Sequence, residues 1–142
     1  MPKTSATERA EKVIMSDSEW RTQLTPDQYR IMRQHGTERA GTSPLNNEKR
    51  KGVFACAACG EPLFGSDAKF ESGTGWPSFD RPMSEAAVSE HNDRSYFMTR
   101  TEVRCARCEG HLGHVFPDGP RQTTGRRYCI NGVAPKFKPG GT

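Results

Sequence analysis

No stretch of this 142-residue sequence holds the roughly 20 consecutive apolar residues that a membrane-spanning helix needs. Hydrophobic residues are only 32% of the chain and aromatics only 8%, while glycine (14) and proline (10) are plentiful. So little apolar material excludes a large core; it predicts one loop-rich domain that needs a further staple. Blocks of like charge are also missing. The 21 basic and 17 acidic residues are interspersed, so a net charge of +4 reads as solubility and not as a nucleic-acid arm. The first residues, MPKTSATERAEK, carry charges and no apolar h-region. Neither export nor a membrane anchor is expected, and a cytoplasmic, reducing location follows. Five cysteines, an odd number, argue against a disulfide framework and for metal binding plus one free thiol.

Residues 1–20 are polar and aperiodic and are expected to be a flexible lead-in to a single domain over 21–142. Helical signals begin next: Thr25 can cap, Pro26 suits the first helical position and Asp27 complements the dipole. Gly36 is the expected end, with Leu24, Tyr29, Ile31 and Met32 as the buried side. From residue 53 onward, short β-branched and aromatic runs alternate with Gly, Pro, Asn and Asp, the texture of antiparallel strands and turns. The clearest strand is predicted over 95–103, with others near 53–56, 114–116 and 127–130. The body is therefore mainly β.

Two CxxC pairs, Cys56/Cys59 and Cys105/Cys108, are each followed by turn-prone residues, Gly60-Glu61-Pro62 and Glu109-Gly110. Two residues between thiolates let one tight turn aim both sulfurs at one ion, and the second pair completes a tetrahedral, closed shell. One structural Zn2+ per chain is expected, pinning two distant hairpins. A redox-active CxxC, a mixed site using His111 or His114, and an iron–sulfur cluster are the rival assignments.

Cys129 is left over, in the run RRYCING at 126–132. Arg126 and Arg127 can favour a thiolate, Tyr128 and Asn131 offer hydrogen bonds, and strand alternation puts Arg127, Cys129 and Asn131 on one face. A solitary cysteine is as often an inert small hydrophobe as a nucleophile. Two clusters tip the balance. His111 and His114, in HLGHVFPDGP at 111–120, are able to polarise an oxygen or supply a proton near neutral pH. Trp76, in SGTGWPSF at 72–79, presents an indole from a Gly/Pro-flanked loop. Asp118 and Asn131 are candidates to orient the histidines, whereas His35 and His91 carry no expected role.

Taken together and in this order, the two CxxC pairs and the three runs SGTGWPSF, HLGHVFPDGP and RRYCING resemble the B-type peptide-methionine sulfoxide reductases, which act on the R epimer. The resemblance spans roughly residues 20–138. It implies two antiparallel sheets in an open barrel-like or tent-like body with an N-terminal helix, zinc on the four CxxC cysteines, and catalysis by Cys129. It further implies that Trp76, His111, His114, Arg127 and Asn131 line the pocket, with Phe116 of the same motif beside the substrate. Cys129 would attack the sulfoxide sulfur while His114, helped by His111 and Asn131, protonates the oxygen, with Arg127 lowering the thiol pKa and a sulfenic acid as the intermediate. Many members carry a resolving cysteine where this chain has Thr74, so an external reductant, thioredoxin or glutathione with glutaredoxin, is expected. The rival function is a noncatalytic zinc-stabilised binding module on the same scaffold. A monomer that binds neither nucleic acid nor membrane is expected.

Overall fold

The computed structural model describes residues 15–34, 36, 41, 43–70, 72–93 and 99–139. Two short helices lead in: α1 (Asp17–Gln23) and α2 (Pro26–Arg33). Both start on a capping box. In α1 Ser16 and Glu19 exchange side-chain-to-backbone bonds, and in α2 Thr25 and Gln28 do the same. Residues 17–20, expected to belong to the lead-in, are helical: α1 lies across that boundary and buries Trp20 to 2% exposure, and residues 1–14 lie outside the described ones. A lone indole among polar residues has no periodic partner within its own helix; Arg33 of α2 covers it, with the guanidinium 4.7 Å from the ring centroid. Helix α2 ends at Arg33 rather than Gly36, although the Gly36 N–H donates back to the Arg30 carbonyl at 3.0 Å. Leu24, Ile31 and Met32 are buried as expected, while Tyr29 is only partly covered.

Among the described residues nine strands form two antiparallel sheets. The smaller has the order β2 (Pro62–Gly65), β1 (Gly52–Cys56), β9 (Pro135–Pro139). The larger runs β3 (Lys69–Phe70), β4 (Ser78–Phe79), β8 (Arg127–Ile130), β7 (His111–Phe116), β6 (Arg100–Cys105), β5 (Val88–Asp93). The strand predicted over 95–103 is displaced: it begins at Arg100, and residues 94–98 lie outside the described ones, as does His35. Between the sheets, Phe54, Leu63 and Phe64 meet Phe79, Leu112 and Ile130, all fully buried. Phe64 stacks on Phe79 at 4.4 Å and Phe54 meets the same ring edge-on at 5.0 Å. Among the described residues no helix is long and apolar enough to cross a membrane.

Two details of the large sheet decide what faces outward from it. In β7 the pairing with β6 shifts between Val103 and Arg104, which meet Gly113 and His111 respectively, leaving Leu112 as an extra residue. Strict alternation would send His111 and His114 to opposite faces; this bulge returns them to the same one, with ring centroids 5.4 Å apart. The second detail is Gly113, where a Cβ would lie 2.0 Å from the Cys129 carbonyl oxygen. Only a residue without a side chain lets β7 and β8 approach here.

Gly113→Ala is therefore expected to destabilise the protein by about 3 kcal/mol or more, because backbone and not a movable side chain must yield. Gly60, at φ +85° with open space around its missing Cβ, gives the contrast: alanine there is expected to cost about 1 kcal/mol of backbone strain alone. Urea unfolding of the two variants checks the order; equal losses would refute the steric account.

Candidate active site

The thiols of Cys56, Cys59, Cys105 and Cys108 all lie within 4.8 Å of one another, and none is in a disulfide. Cys56 and Cys108 sulfurs are 3.7 Å apart, and those of Cys59 and Cys105 are 3.5 Å apart. For Zn–S bonds of about 2.3 Å the edge of a tetrahedron is about 3.8 Å, so the donor set fits a four-thiolate zinc. The two knuckles share one backbone design. Gly60 N–H donates to the Cys56 carbonyl and Glu109 N–H to the Cys105 carbonyl, each at 2.8 Å. The Cys56 N–H in turn donates to Glu61 O and the Cys105 N–H to Gly110 O. Both turns close on a left-handed residue, Gly60 at φ 85° and Glu109 at φ 62°. One knuckle joins β1 to β2 and the other β6 to β7, so the four sulfurs connect the two sheets. The helices seal them: Gln23 donates to the Ala58 carbonyl at 2.5 Å and Arg33 to the Cys108 carbonyl at 2.8 Å.

A pocket of about 250 Å³ opens on the large sheet, away from the knuckles, lined by Thr74, Trp76, Arg100, Gly113, His114, Phe116, Arg127, Cys129 and Asn131. Its geometry follows from register. Cys129 on β8 pairs with His114 on β7 and with Ser78 on β4, and Phe116 pairs with Arg127. Along β8 the buried Tyr128 and Ile130 point into the core, leaving Arg127, Cys129 and Asn131 for the pocket. The Trp76 loop is held beside them by the Ile130 N–H bond to the Pro77 carbonyl at 2.9 Å. Beneath it, Ser72 Oγ lies 2.8 Å from both Thr74 Oγ1 and Ser78 Oγ.

Each side chain is pinned by named partners. His114 Nε2 lies 2.8 Å from Asp93 Oδ2 on β5. His111 sits behind the pocket, 3% exposed, with Nδ1 2.7 Å from Glu102 Oε2. Burial pushes the Glu102 carboxyl up, but His111 and Arg104 outweigh it and hold it below the usual carboxylate range. Asn131 Nδ2 donates to the Leu112 carbonyl at 3.0 Å, tying the residue after β8 to the bulge. Asp118 does not reach the histidines as expected. It forms a two-bond pair with Arg127, Nε to Oδ1 at 2.8 Å and Nη2 to Oδ2 at 3.2 Å, and that guanidinium also lies 4.5 Å from the Phe116 ring centroid. Sequence reasoning does not find Asp93, Glu102 and Arg100. They come from strands β5 and β6, which carry no motif, and only the pairing of β5 with β6 and of β6 with β7 brings them to the histidines.

The thiol differs from expectation. Burial pushes the Cys129 pKa up; the Thr74 hydroxyl and the Arg127 guanidinium pull it down and do not cancel the burial. The resting group is a thiol with two partners placed to favour its anion.

The SelR domain family matches residues 24–139. The chain is 59% identical over 128 residues to the peptide methionine sulfoxide reductase MsrB of Agrobacterium fabrum, covering 90% of this chain and 94% of that protein. The chain belongs to the MsrB family of peptide methionine sulfoxide reductases. Similarity extends to the MsrB proteins of Chromohalobacter salexigens, at 54% with 92% of this chain and 98% of that one, and of Bradyrhizobium diazoefficiens, at 51% with 98% and 99% covered.

Elemental analysis of the purified protein is expected to give one zinc per chain. Stripping it with a chelator should lower the thermal midpoint and expose both hairpins to proteolysis, because the sulfurs link the sheets. A metal-free protein that melts unchanged would rule out the structural role.

Proposed function

We propose that this chain reduces the R epimer of methionine sulfoxide, free or within peptides, with Cys129 as the nucleophile. The observation that carries this reading is the direct pairing of Cys129 with His114 across β8 and β7, inside a pocket walled by Trp76 and Phe116. A sulfoxide presents an electrophilic sulfur, a strongly accepting oxygen and an apolar methyl, and this pocket answers each. The indole of Trp76 receives the methyl group. The Cys129 sulfur faces the sulfoxide sulfur, and His114, oriented by Asp93, faces the oxygen.

In the proposed reaction Cys129 loses its proton and attacks sulfur. His114 passes a proton to the oxygen, and the hydroxyl then transfers from the substrate sulfur to the Cys129 sulfur: a Cys129 S–O bond forms as the new S–S bond and the substrate S–O bond break, releasing methionine and leaving a sulfenic acid. Methionine sulfur gains two electrons and the cysteine sulfur loses two, so the step balances without a cofactor. Arg127 and Thr74 stabilise the thiolate as it forms, and Asn131, anchored on Leu112, completes the polar wall. His111 acts from behind, holding the edge of the His114 ring. Cys56, Cys59, Cys105 and Cys108 would hold zinc, which would cross-link the two sheets.

Thr74 stands beside Cys129 where a resolving thiol would be useful, and the remaining cysteines are gathered at the knuckles. The sulfenic acid is therefore returned to thiol by an external dithiol such as thioredoxin, or through glutathione and glutaredoxin, with the protein acting as a monomer in a reducing, cytoplasmic setting. A noncatalytic binding module would leave the Cys129–His114 pairing without a use.

Turnover of separated R and S epimers of a blocked methionine sulfoxide, with dithiothreitol as reductant, is expected to be R-selective in the wild type and absent in Cys129→Ser. Activity that survives in the variant would remove Cys129 from the role. Alkylation of Cys129 by iodoacetamide in the resting protein should rise with pH and reach its midpoint above that of an exposed cysteine. Arg127→Met should move that midpoint higher still, since the thiolate loses a cation; a midpoint below neutrality would refute the protonated resting state.

A further inference from the structure

Arg100 lines the same pocket, and nothing in the reaction above uses it. Among the described residues its guanidinium makes one hydrogen bond, from Nη2 to Asp93 Oδ2 at 3.4 Å, and that oxygen is already taken at 2.8 Å by His114. Its Nε is buried and has no partner among those residues. Arginine offers five N–H donors in a rigid fork, and among the described residues the one long bond to Asp93 leaves donors on the fork for an incoming acceptor. Arg127, the other cation of the pocket, is the contrast. Its fork is filled by Asp118 and its face by Phe116, so it has little left to offer a ligand.

Position says which acceptor Arg100 meets. The reacting sulfur and oxygen belong at Cys129 and His114, on β8 and β7. Arg100 opens β6, two strands from β8, and at about 4.8 Å per strand that is about 10 Å across the sheet. Reached partly by the arginine side chain, this is the region where the main chain of a methionine sulfoxide residue lies once its sulfur is against Cys129. We propose that Arg100 binds the acyl oxygen on the α-carbon of the substrate, a peptide carbonyl or the carboxylate of the free amino acid, and so distinguishes methionine sulfoxide from a bare alkyl methyl sulfoxide. Asp93 meets both side chains with one oxygen, fixing the spacing between His114 and the main-chain anchor.

This inference rests on the reduction proposed above, and the test separates the two. The kcat/KM values of wild type and Arg100→Gln are compared on three substrates of the same sulfur configuration: N-acetylmethionine sulfoxide methylamide, N-acetylmethionine sulfoxide with a free carboxylate, and ethyl methyl sulfoxide. The preference for the amino-acid substrates over ethyl methyl sulfoxide should fall by about 10-fold to 100-fold in the variant, chiefly through KM. Equal losses on methylamide and carboxylate assign the subsite to a peptide carbonyl, and a larger loss on the carboxylate assigns it to a chain terminus. An unchanged preference, whether all three rates fall together or none does, would overturn the subsite, because an arginine acting only through Asp93 and His114 affects every sulfoxide alike. Calorimetric binding of N-acetylmethionine methylamide to both proteins tests the subsite without turnover: the wild type should bind more tightly, and equal affinity refutes the inference. A wild type that binds this amide and reduces no sulfoxide defeats the proposed reaction and leaves the subsite standing.

Discussion

Strands β7 and β8 meet where residue 113 has no side chain, and this single contact sets the geometry of the pocket. With a methyl at 113 the Cys129 carbonyl would have to move, and the pairing of His114 with Cys129 would move with it. Because the approach is backbone against backbone, no rotamer change can absorb it. The same strand β8 is paired on its other edge with β4, so Ser78 and the Trp76 loop take their places from the position of Cys129 as well. Cys129, His114 and the Trp76 loop thus share one register.

The four thiols act at the other end of the same strands. Cys105 closes β6 and Cys108 precedes β7, while Arg100 and Phe116 mark the pocket ends of those strands. Between the two lies the bulge at Leu112, which returns His111 to the face of His114 and whose carbonyl accepts the amide of Asn131. A metal that fixes the knuckles therefore fixes the start of β7, and a hairpin with a fixed start and a fixed bulge delivers His114 to a fixed place. In a chain with so little apolar material, cross-linking replaces part of what a larger core would contribute.

Much of this is legible in the residues themselves. The CxxC pairs predict a shared ion site because their chemistry is local, two sulfurs on one turn, and the structure gathers all four thiols as such a site requires. Strand β8 is readable because alternation is a period-2 property, and residues 127–130 are its observed bounds. What escapes depends on contacts between distant segments. The Leu112 bulge adds a residue that no pattern announces, and without it the two histidines fall on opposite faces. Asp93 is one acidic residue among seventeen until β5 pairs through β6 with β7. Asp118, four residues after His114, looks like its partner, yet the pairing of Phe116 with Arg127 turns it to the guanidinium instead. Trp20 gives no signal in the sequence because Arg33, which covers it, lies on the next helix.

The state of Cys129 links this architecture to the proposed reaction. A thiolate whose pKa is strongly lowered is intrinsically less nucleophilic than one of higher pKa, and it is open to oxidants at all times. Here burial holds the proton on, while Thr74 and Arg127 stand ready to stabilise the anion. In the proposed reaction the thiolate is therefore needed only as a sulfoxide is attacked, with Thr74 and Arg127 offsetting part of what burial costs the anion. Arg127 can play this part without binding the sulfoxide itself, because Asp118 and Phe116 hold its guanidinium in place beside the sulfur. With Thr74 as the neighbouring side chain, the oxidised sulfur also meets a hydroxyl where another thiol would close a disulfide. Under the proposed reaction, the arrangement that restrains the thiol thus leaves a sulfenic acid to a reductant from outside.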